Sequence, residues 1–321
     1  MNDDVTISVV MGVYNGERQL DATIDSILGQ TFDDFEFIIV DDGSTDNSND
    51  KLIDRAREDR RIHVVRQQNG GLTSALITGS KLARGTFLAR QDIGDVSKST
   101  RFQQQLDFLK GHPDVVAVSG GYRRIGPEGE YLGEQCRHMT PRQVTDSFLS
   151  VGTGIPHTAA MIRMDAFRRV GGYRKQFRFA QDCDHWYRLC RHGLLAEIDD
   201  SLFDWGIDVG GISASNLFRQ QRLAQLARQS YDACLKGDDD TSVLQQANSV
   251  SWDDNSPVAP TDKSDTAAAA ELFIGSQLYS LGDLRCRHYF RRAISRRPFW
   301  AKAWAKLMLS YLPNRRFSEN V

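Results

Sequence analysis

Cysteine is scarce in this 321-residue chain, and its five copies, Cys136, Cys183, Cys190, Cys234 and Cys286, are odd in number, scattered and without a CxxC pair. That usage excludes a disulfide framework and a thiolate zinc site, and leaves the cysteines as packing residues. No eighteen consecutive residues are apolar, so nothing reads as a membrane span. The start, MNDDVTISVV, has neither the basic region nor the long apolar core of a signal peptide, which predicts a cytoplasmic protein. An excess of one charge sign is missing too. The formal net charge is -2, so the chain as a whole carries no nucleic-acid signature. Also absent are GxGxxG after the first apolar run and GxxxxGKS or GxxxxGKT anywhere, which removes a dinucleotide fold and a P-loop.

What is present is alternation. Short apolar, β-branched runs at 6–11, 35–40, 62–66 and 86–89 read as buried strands. Between them, residues 18–30, 48–56 and 72–83 repeat apolar positions at helical spacing, as with Leu20, Ile24, Ile27 and Leu28. Strands alternating with helices predict an α/β fold, a mostly parallel sheet with helices on both faces. Right-handed crossovers then put the strand-end loops on one rim. Tyr14, Asp41, Asp42, Asn69, Asp92 and Asp95 share that rim.

The stretch GTFLARQDIGDVSKSTR, residues 85–101, sets Asp92 and Asp95 in a polar turn at the carboxyl end of a strand, where open α/β sheets bind ligands. Hard carboxylate oxygens suit Mg²⁺ or Mn²⁺. The residues alone leave two readings open, a metal–diphosphate site or a turn that ends a strand and caps a helix. Asp182, in AQDCDHWYRL, stands at a helix start and taken alone reads as an N-cap. The run Asp41-Asp42-Gly43-Ser44 is weakly similar to the aspartate loop of haloacid-dehalogenase-type phosphatases, but Val40 stands where their nucleophile belongs.

Six motifs in one order carry more than any one of them: VVMGVYNGE, VDDGSTDNS, NGGL, ARGTFLARQDIGD, VGGY and AQDCDHWYRL. Together they resemble the family 2 glycosyltransferases, inverting enzymes of the GT-A fold that use nucleotide-sugar donors, over roughly the first 215 residues. The resemblance implies that Tyr14 offers a flat face to the nucleotide base and that Asp41 or Asp42 accepts hydrogen bonds from base or ribose. Gly12, Asn15, Glu17, Asn69, Gly70, Arg90 and Asp92 fall in the same donor motifs. It implies that Asp92 and Asp95 hold a divalent cation, Mg²⁺ or Mn²⁺, against the donor diphosphate, and that Asp182 is the general base toward the acceptor hydroxyl. The implied partners are a nucleotide sugar, a UDP-sugar foremost, and a glycan or lipid-linked acceptor in surface polysaccharide synthesis. Gly94 departs from the family's Asp-x-Asp-Asp pattern, Gln181 stands where relatives often have Glu, and Asp208 falls near the position of a family His, which makes it a third candidate metal ligand. On the acceptor side, His157 and Trp186 are candidates, with core packing the competing reading for both. A non-catalytic nucleotide-sugar-binding scaffold is the alternative function.

The last third reads as helical from residue 216, with a polar linker at about 237–265 and a tetratricopeptide-like block at about 267–313. Ten basic residues, Arg285, Arg287, Arg291, Arg292, Arg296, Arg297, Lys302, Lys306, Arg315 and Arg316, have no acid among them. Interleaved aromatics make them a candidate surface for a protein partner or, peripherally, the inner face of a membrane.

Overall fold

The computed structural model describes residues 5–207, 216–252 and 263–312. Nine strands and twelve α-helices are found among them: β1 Ile7–Val13, α1 Leu20–Leu28, β2 Phe35–Asp41, α2 Ser48–Glu58, β3 Ile62–Arg66, α3 Leu72–Leu82, β4 Phe87–Arg90, β5 Val96–Ser97, α4 Arg101–Gly111, β6 Val115–Ile125, β7 Tyr131–Gln135, α5 Pro141–Val151, β8 Met161–Arg163, α6 Met164–Arg169, α7 Gln181–Leu189, β9 Leu194–Gly206, α8 Leu217–Lys236, α9 Thr241–Trp252, α10 Lys263–Ser280, α11 Cys286–Arg296 and α12 Ala301–Leu309. The described residues form two units. The first holds 5–122, 136–204 and 219–252, and the second 123–135, 205–207, 216–218 and 263–312.

In the first unit the strand order is β3-β2-β1-β4-β8-β6-β9-β5. The four strands from β3 to β4 are parallel, with Val10 facing Ile38 on one side and Arg90 on the other. β8 then runs antiparallel to both β4 and β6. The sheet is therefore mixed beyond the fourth strand, because β8 enters from the opposite direction. All seven residues of β1 are buried, as a central strand covered on both faces requires. Alternate residues feed two cores. Val10, Ile38, Val40 and Leu88 pack with Ala75 and Leu76 of α3. Val9, Met11, Phe37 and Ile39 pack with Leu20, Ile24 and Ile27 of α1 and Phe102, Leu106 and Leu109 of α4. Each such side chain contributes about 1.5–3 kcal/mol on burial.

Two expectations about the C-terminal third change. The stretch read as a linker contains α9, whose Ala247 and Ser251 are buried. Polar composition concealed it, since only a narrow stripe of the helix faces the core. Ser251 Oγ donates to Gln176 O at 2.6 Å, so α9 belongs to the first unit rather than to a linker. The boundary expected at residue 215 moves accordingly: residues 219–252 join the first unit, and the hairpin at 123–135 joins the second. In that second unit the helix pair does not stand alone. Leu132 of β7 packs among Leu278, Tyr289, Phe290 and Ala293. Glu130, fully buried, accepts from Tyr289 Oη at 2.5 Å.

Candidate functional site

The rim expected from topology exists. Val13 of β1 pairs with Asp41 of β2, so the loop after each strand opens at one level. Two of those loops are laced together. Asn15, in the left-handed region at φ 51°, accepts from Thr45 N at 2.8 Å, and its own N–H donates to Ser44 Oγ at 3.0 Å. Gly16 N donates to Ser48 Oγ at 2.9 Å and Asn47 Nδ2 to Glu17 at 3.0 Å. Asn15 and Glu17 thus build the loops. Gly12 has a packing role too, since a Cβ there would lie 3.0 Å from Ala75 Cβ and 3.1 Å from Leu72. Tyr14 alone in this stretch presents a large ring, 51% exposed, on the rim.

The two acids ending β2 divide their work. Asp42 is saturated: Gly70 N, Gly71 N and Gln67 Nε2 donate to its carboxylate at 2.9, 2.7 and 2.6 Å. Asn69 Nδ2 donates to Asp42 O at 3.0 Å. Asp42, Asn69 and Gly70 therefore fold the loop ahead of α3. Asp41 is fully buried, with Oδ1 accepting from Ser44 N and Oδ2 3.2 Å from Arg66 Nε.

The acidic turn stands on buried cations. Arg90, 0% exposed, donates to Val10 O and Gln91 O at 2.9 and 3.0 Å and to Asp92 Oδ1 at 2.5 Å. Arg101, also 0% exposed, donates to Arg90 O, Gln91 Oε1 and Ser97 Oγ. Its burial and the Arg90 charge, opposed by Asp95, push its pKa down to about 9. Asp95 is 4% exposed and accepts from the Thr158 hydroxyl, while the Asp92 side chain is one-third exposed. Gly94 sits between them at φ 92°, a conformation that a side chain rarely adopts.

Across from this turn stands Asp182, in the first turn of α7, where a helix N-terminus favours negative charge. The helix is capped at Ala180 instead, so Asp182 is not the N-cap. Burial first, then the Asp92 charge, raise its pKa against backbone N–H donors and Arg90. Asp184, by contrast, is locked by Arg174 and by Arg188 at 2.6 Å. Burial, with the charges of Arg90 and His185 added, holds His157 well below the usual imidazole range. His157 Nε2 lies 2.8 Å from Tyr173 Oη, a contact that the VGGY motif gave no means of reading. Trp186 corrects an expectation. It is 1% exposed, edge-on to His157 and tight against Gly154, so its faces are spent on the core and none is free for a sugar. Asp208 lies outside the described residues.

Asp92 and Asp95 are a two-carboxylate donor set, and no group of three metal-binding side chains occurs among the described residues. Such a set fits Mg²⁺ or Mn²⁺ of the kind held by one or two carboxylates plus substrate phosphates. Residues 8–171, just over half the chain, match the family described as Glycosyl transferase family 2. The chain belongs to that family. This transferase is 32% identical over 197 residues to EpsE of Bacillus subtilis, which carries a glycosyltransferase name, across 60% of this chain and 69% of that one. It is 29% identical to the O-antigen biosynthesis glycosyltransferase WbnJ of Escherichia coli over 57% of this chain and 71% of WbnJ. A second B. subtilis relative, EpsJ, is 35% identical, but the match spans 42% of its length and 44% of this chain. Among solved structures, TarS of S. aureus, residues 1-349 with UDP, superposes with a TM-score of 0.55 at 14% identity, covering 95% of this chain and 89% of that one. The mannosyltransferase PcManGT of Pyrobaculum calidifontis, with GDP-Man and Mn²⁺, gives 0.53 at 15% identity, over 96% and 86%. At such identities the likeness is one of fold, the GT-A fold with a helical C-terminal region.

Proposed function

We propose that this glycosyltransferase moves a sugar from a nucleotide-activated donor to a hydroxyl of a surface-polysaccharide or lipid-linked acceptor, with inversion. The observation that carries the reading is Asp182, a carboxylate whose proton affinity is raised by burial and by Asp92 across the site. A base of that kind takes the acceptor proton as its oxygen attacks the anomeric carbon, and a single such group serves a direct displacement. Asp92 and Asp95, with donor phosphate oxygens, would hold the divalent cation, whose charge offsets the one that grows on the leaving diphosphate. Arg90 fixes Asp92, and Thr158 fixes Asp95, so neither carboxylate must be ordered when donor arrives. Tyr14 would stack on the base. Asp41 Oδ2 accepts no well-formed hydrogen bond and is covered by Arg66, itself more than half exposed, so it would accept from base or ribose once that side chain turns aside. The UDP and GDP-mannose named for the two solved structures support a nucleotide sugar as donor, and the O-antigen relative supports a glycan acceptor.

The test is isothermal titration with UDP, GDP and dTDP, each with and without Mn²⁺, on the native chain and on Asp95→Ala. Metal-dependent binding of one nucleotide, lost in the variant, is expected. No binding of any of the three turns the reading toward the non-catalytic scaffold.

We also propose peripheral contact with anionic lipid through the second unit, on a narrower surface than the basic run suggests. Arg285 pairs with Asp283, Arg292 and Arg296 with Glu271, and Arg297 with Asp265. Phe299, 100% exposed, and Arg287, Arg291, Lys302 and Lys306, without an ion pair among the described residues, remain for a membrane surface, while Arg315 and Arg316 lie outside the described residues. Flotation with anionic liposomes tests it, and protein left at the bottom of the gradient refutes it.

A further inference from the structure

The Gly152–His157 loop joins α5 to the site, and its start is fixed by a cap. Thr140 and Gln143 form a capping box at the front of α5, and Gly152, at φ 79°, ends the helix in the left-handed conformation. The loop's far end reaches the site chemistry, because His157 bonds Tyr173 and Thr158 bonds Asp95. Between these ends the loop carbonyls are taken by one cation. Arg137 donates to Gly154 O at 3.1 Å and reaches Thr153 O at 3.5 Å. Gly154 is pinned from the other side by Trp186, which leaves no room for a Cβ.

Arg137 is in turn held from β9. Its Nε lies 3.5 Å from Glu197, whose side chain is 1% exposed against 16% for Arg137. Neither Glu197 oxygen accepts a well-formed hydrogen bond, and the carboxylate is favoured first by the Arg137 charge and then by the Arg137 backbone N–H. The charged groups around Glu197 are Arg137, Asp199 on the same strand, and His138, which bonds Asp199. We propose that Arg137, anchored by ionised Glu197, is a positioning residue that clamps the 152–157 loop and so holds His157 and Thr158 against the acidic turn. Burial pushes the Glu197 carboxyl up to about 7, with Asp199 adding and Arg137 opposing. The anchor is therefore complete above neutral pH and slackens as Glu197 takes a proton. A neutral Glu197 leaves Arg137 free to turn to water, since a guanidinium one-sixth exposed has an outlet. The consequence for catalysis rests on the reading of Asp92 and Asp95 given above, whereas the clamp itself can be tested without substrate.

The experiment is amide hydrogen exchange by mass spectrometry on the full chain from pH 6 to 8.5, corrected for intrinsic rates, reading peptides that cover 150–158. In the native chain, protection there is expected to rise roughly tenfold from pH 6 to pH 8.5, the size of one charge-assisted hydrogen bond. Glu197→Gln is expected to show the low value at every pH. Arg137→Ala behaves likewise, and Arg137→Lys, which keeps the charge, recovers part of the protection. His138→Gln leaves Glu197 and Arg137 in place and retains the native profile. Protection that is independent of pH in the native chain, or native protection in Glu197→Gln at pH 8, overturns the proposal. A profile that vanishes with His138→Gln does so too. Should Arg137→Ala fail to fold, the native series and Glu197→Gln decide between the outcomes.

Discussion

Arg90 and Asp92 join the interior of the sheet to the mouth of the site: a guanidinium with no exposed surface donates to a carboxylate that is one-third exposed. The two ends of this pair differ in what else holds them. Arg90 keeps Val10 O and Gln91 O if Asp92 is neutralised, whereas loss of Arg90 takes its side-chain donor from both carbonyls, leaving Val10 O with Gln91 N, and leaves Asp92 unanchored. Arg90→Met is accordingly expected to cost on the order of 2–4 kcal/mol in urea unfolding and to abolish transfer. Asp92→Asn should cost about 1 kcal/mol or less while lowering kcat/KM by roughly a hundredfold or more. Equal stability losses in the two variants would show that the pair acts as one structural unit.

Asp182→Asn separates activity from stability. Removing the carboxylate proposed as base is expected to lower kcat by roughly 10²–10⁴. The sign of the stability change follows from the raised pKa of Asp182. A carboxyl that binds its proton more tightly when folded favours the folded state most at pH below its unfolded value, and that contribution is lost as pH rises through the folded value. Above that window the ionised, half-buried Asp182 is a net penalty. Asp182→Asn should therefore be more stable than the native chain at pH 8, with the gap closing toward pH 4. Chemical denaturation at the two pH values measures it, and a variant less stable than native at pH 8 would sink the assignment of Asp182 as a base of raised proton affinity.

The parallel half of this fold was legible because its central strands are mostly apolar: β1, β2 and β4 are buried at every position. α9 was missed for the opposite reason, as most of its surface is polar and its few buried residues are small. In the site, sequence motifs located Asp92, Asp95 and Asp182 but could not say which rim residues face outward. Asp42, Asn15 and Glu17 lie in donor motifs and yet spend their polar atoms on neighbouring loops. Tyr173, Thr158, Arg137 and Glu197 escaped notice because their partners are distant in the chain, 16, 63 and 60 residues away for the three contacts. Such pairings appear only once the sheet brings its segments together.

Gly94 offers a test of the departure in the acidic motif. Its φ of 92° disfavours any side chain, although the nearest atom to an added Cβ, Gln19 Cγ at 3.8 Å, leaves room. Gly94→Asp restores a carboxylate at the price of backbone strain, so it is expected to lose about 1–3 kcal/mol of stability without a clash. Gly94→Ala should lose a similar amount, since conformation and not charge sets the cost. If Gly94→Asp is as stable as the native chain and binds Mn²⁺ more tightly, the turn is more adaptable than its geometry implies.

Glu271 governs the second unit. Its side chain is 0% exposed and receives Arg292 Nε at 2.9 Å and Arg296 Nε at 3.0 Å, tying α11 to α10. Both arginines are more than a third exposed and can return to water if the acid is removed, which tempers the loss. Glu271→Met, apolar and of similar volume, should cost about 1–2 kcal/mol or less. Glu271→Lys buries a cation facing two others with no outlet of its own, and it is expected to unfold the helix pair. Hydrogen exchange then has a definite pattern to show: protection lost over 265–296 in the lysine variant, retained in the methionine variant, and unchanged over β1 and β2 in both. Retained protection of α10 and α11 with Lys at position 271 would mean that Leu278, Tyr289 and Phe290 hold these helices without the ion pairs.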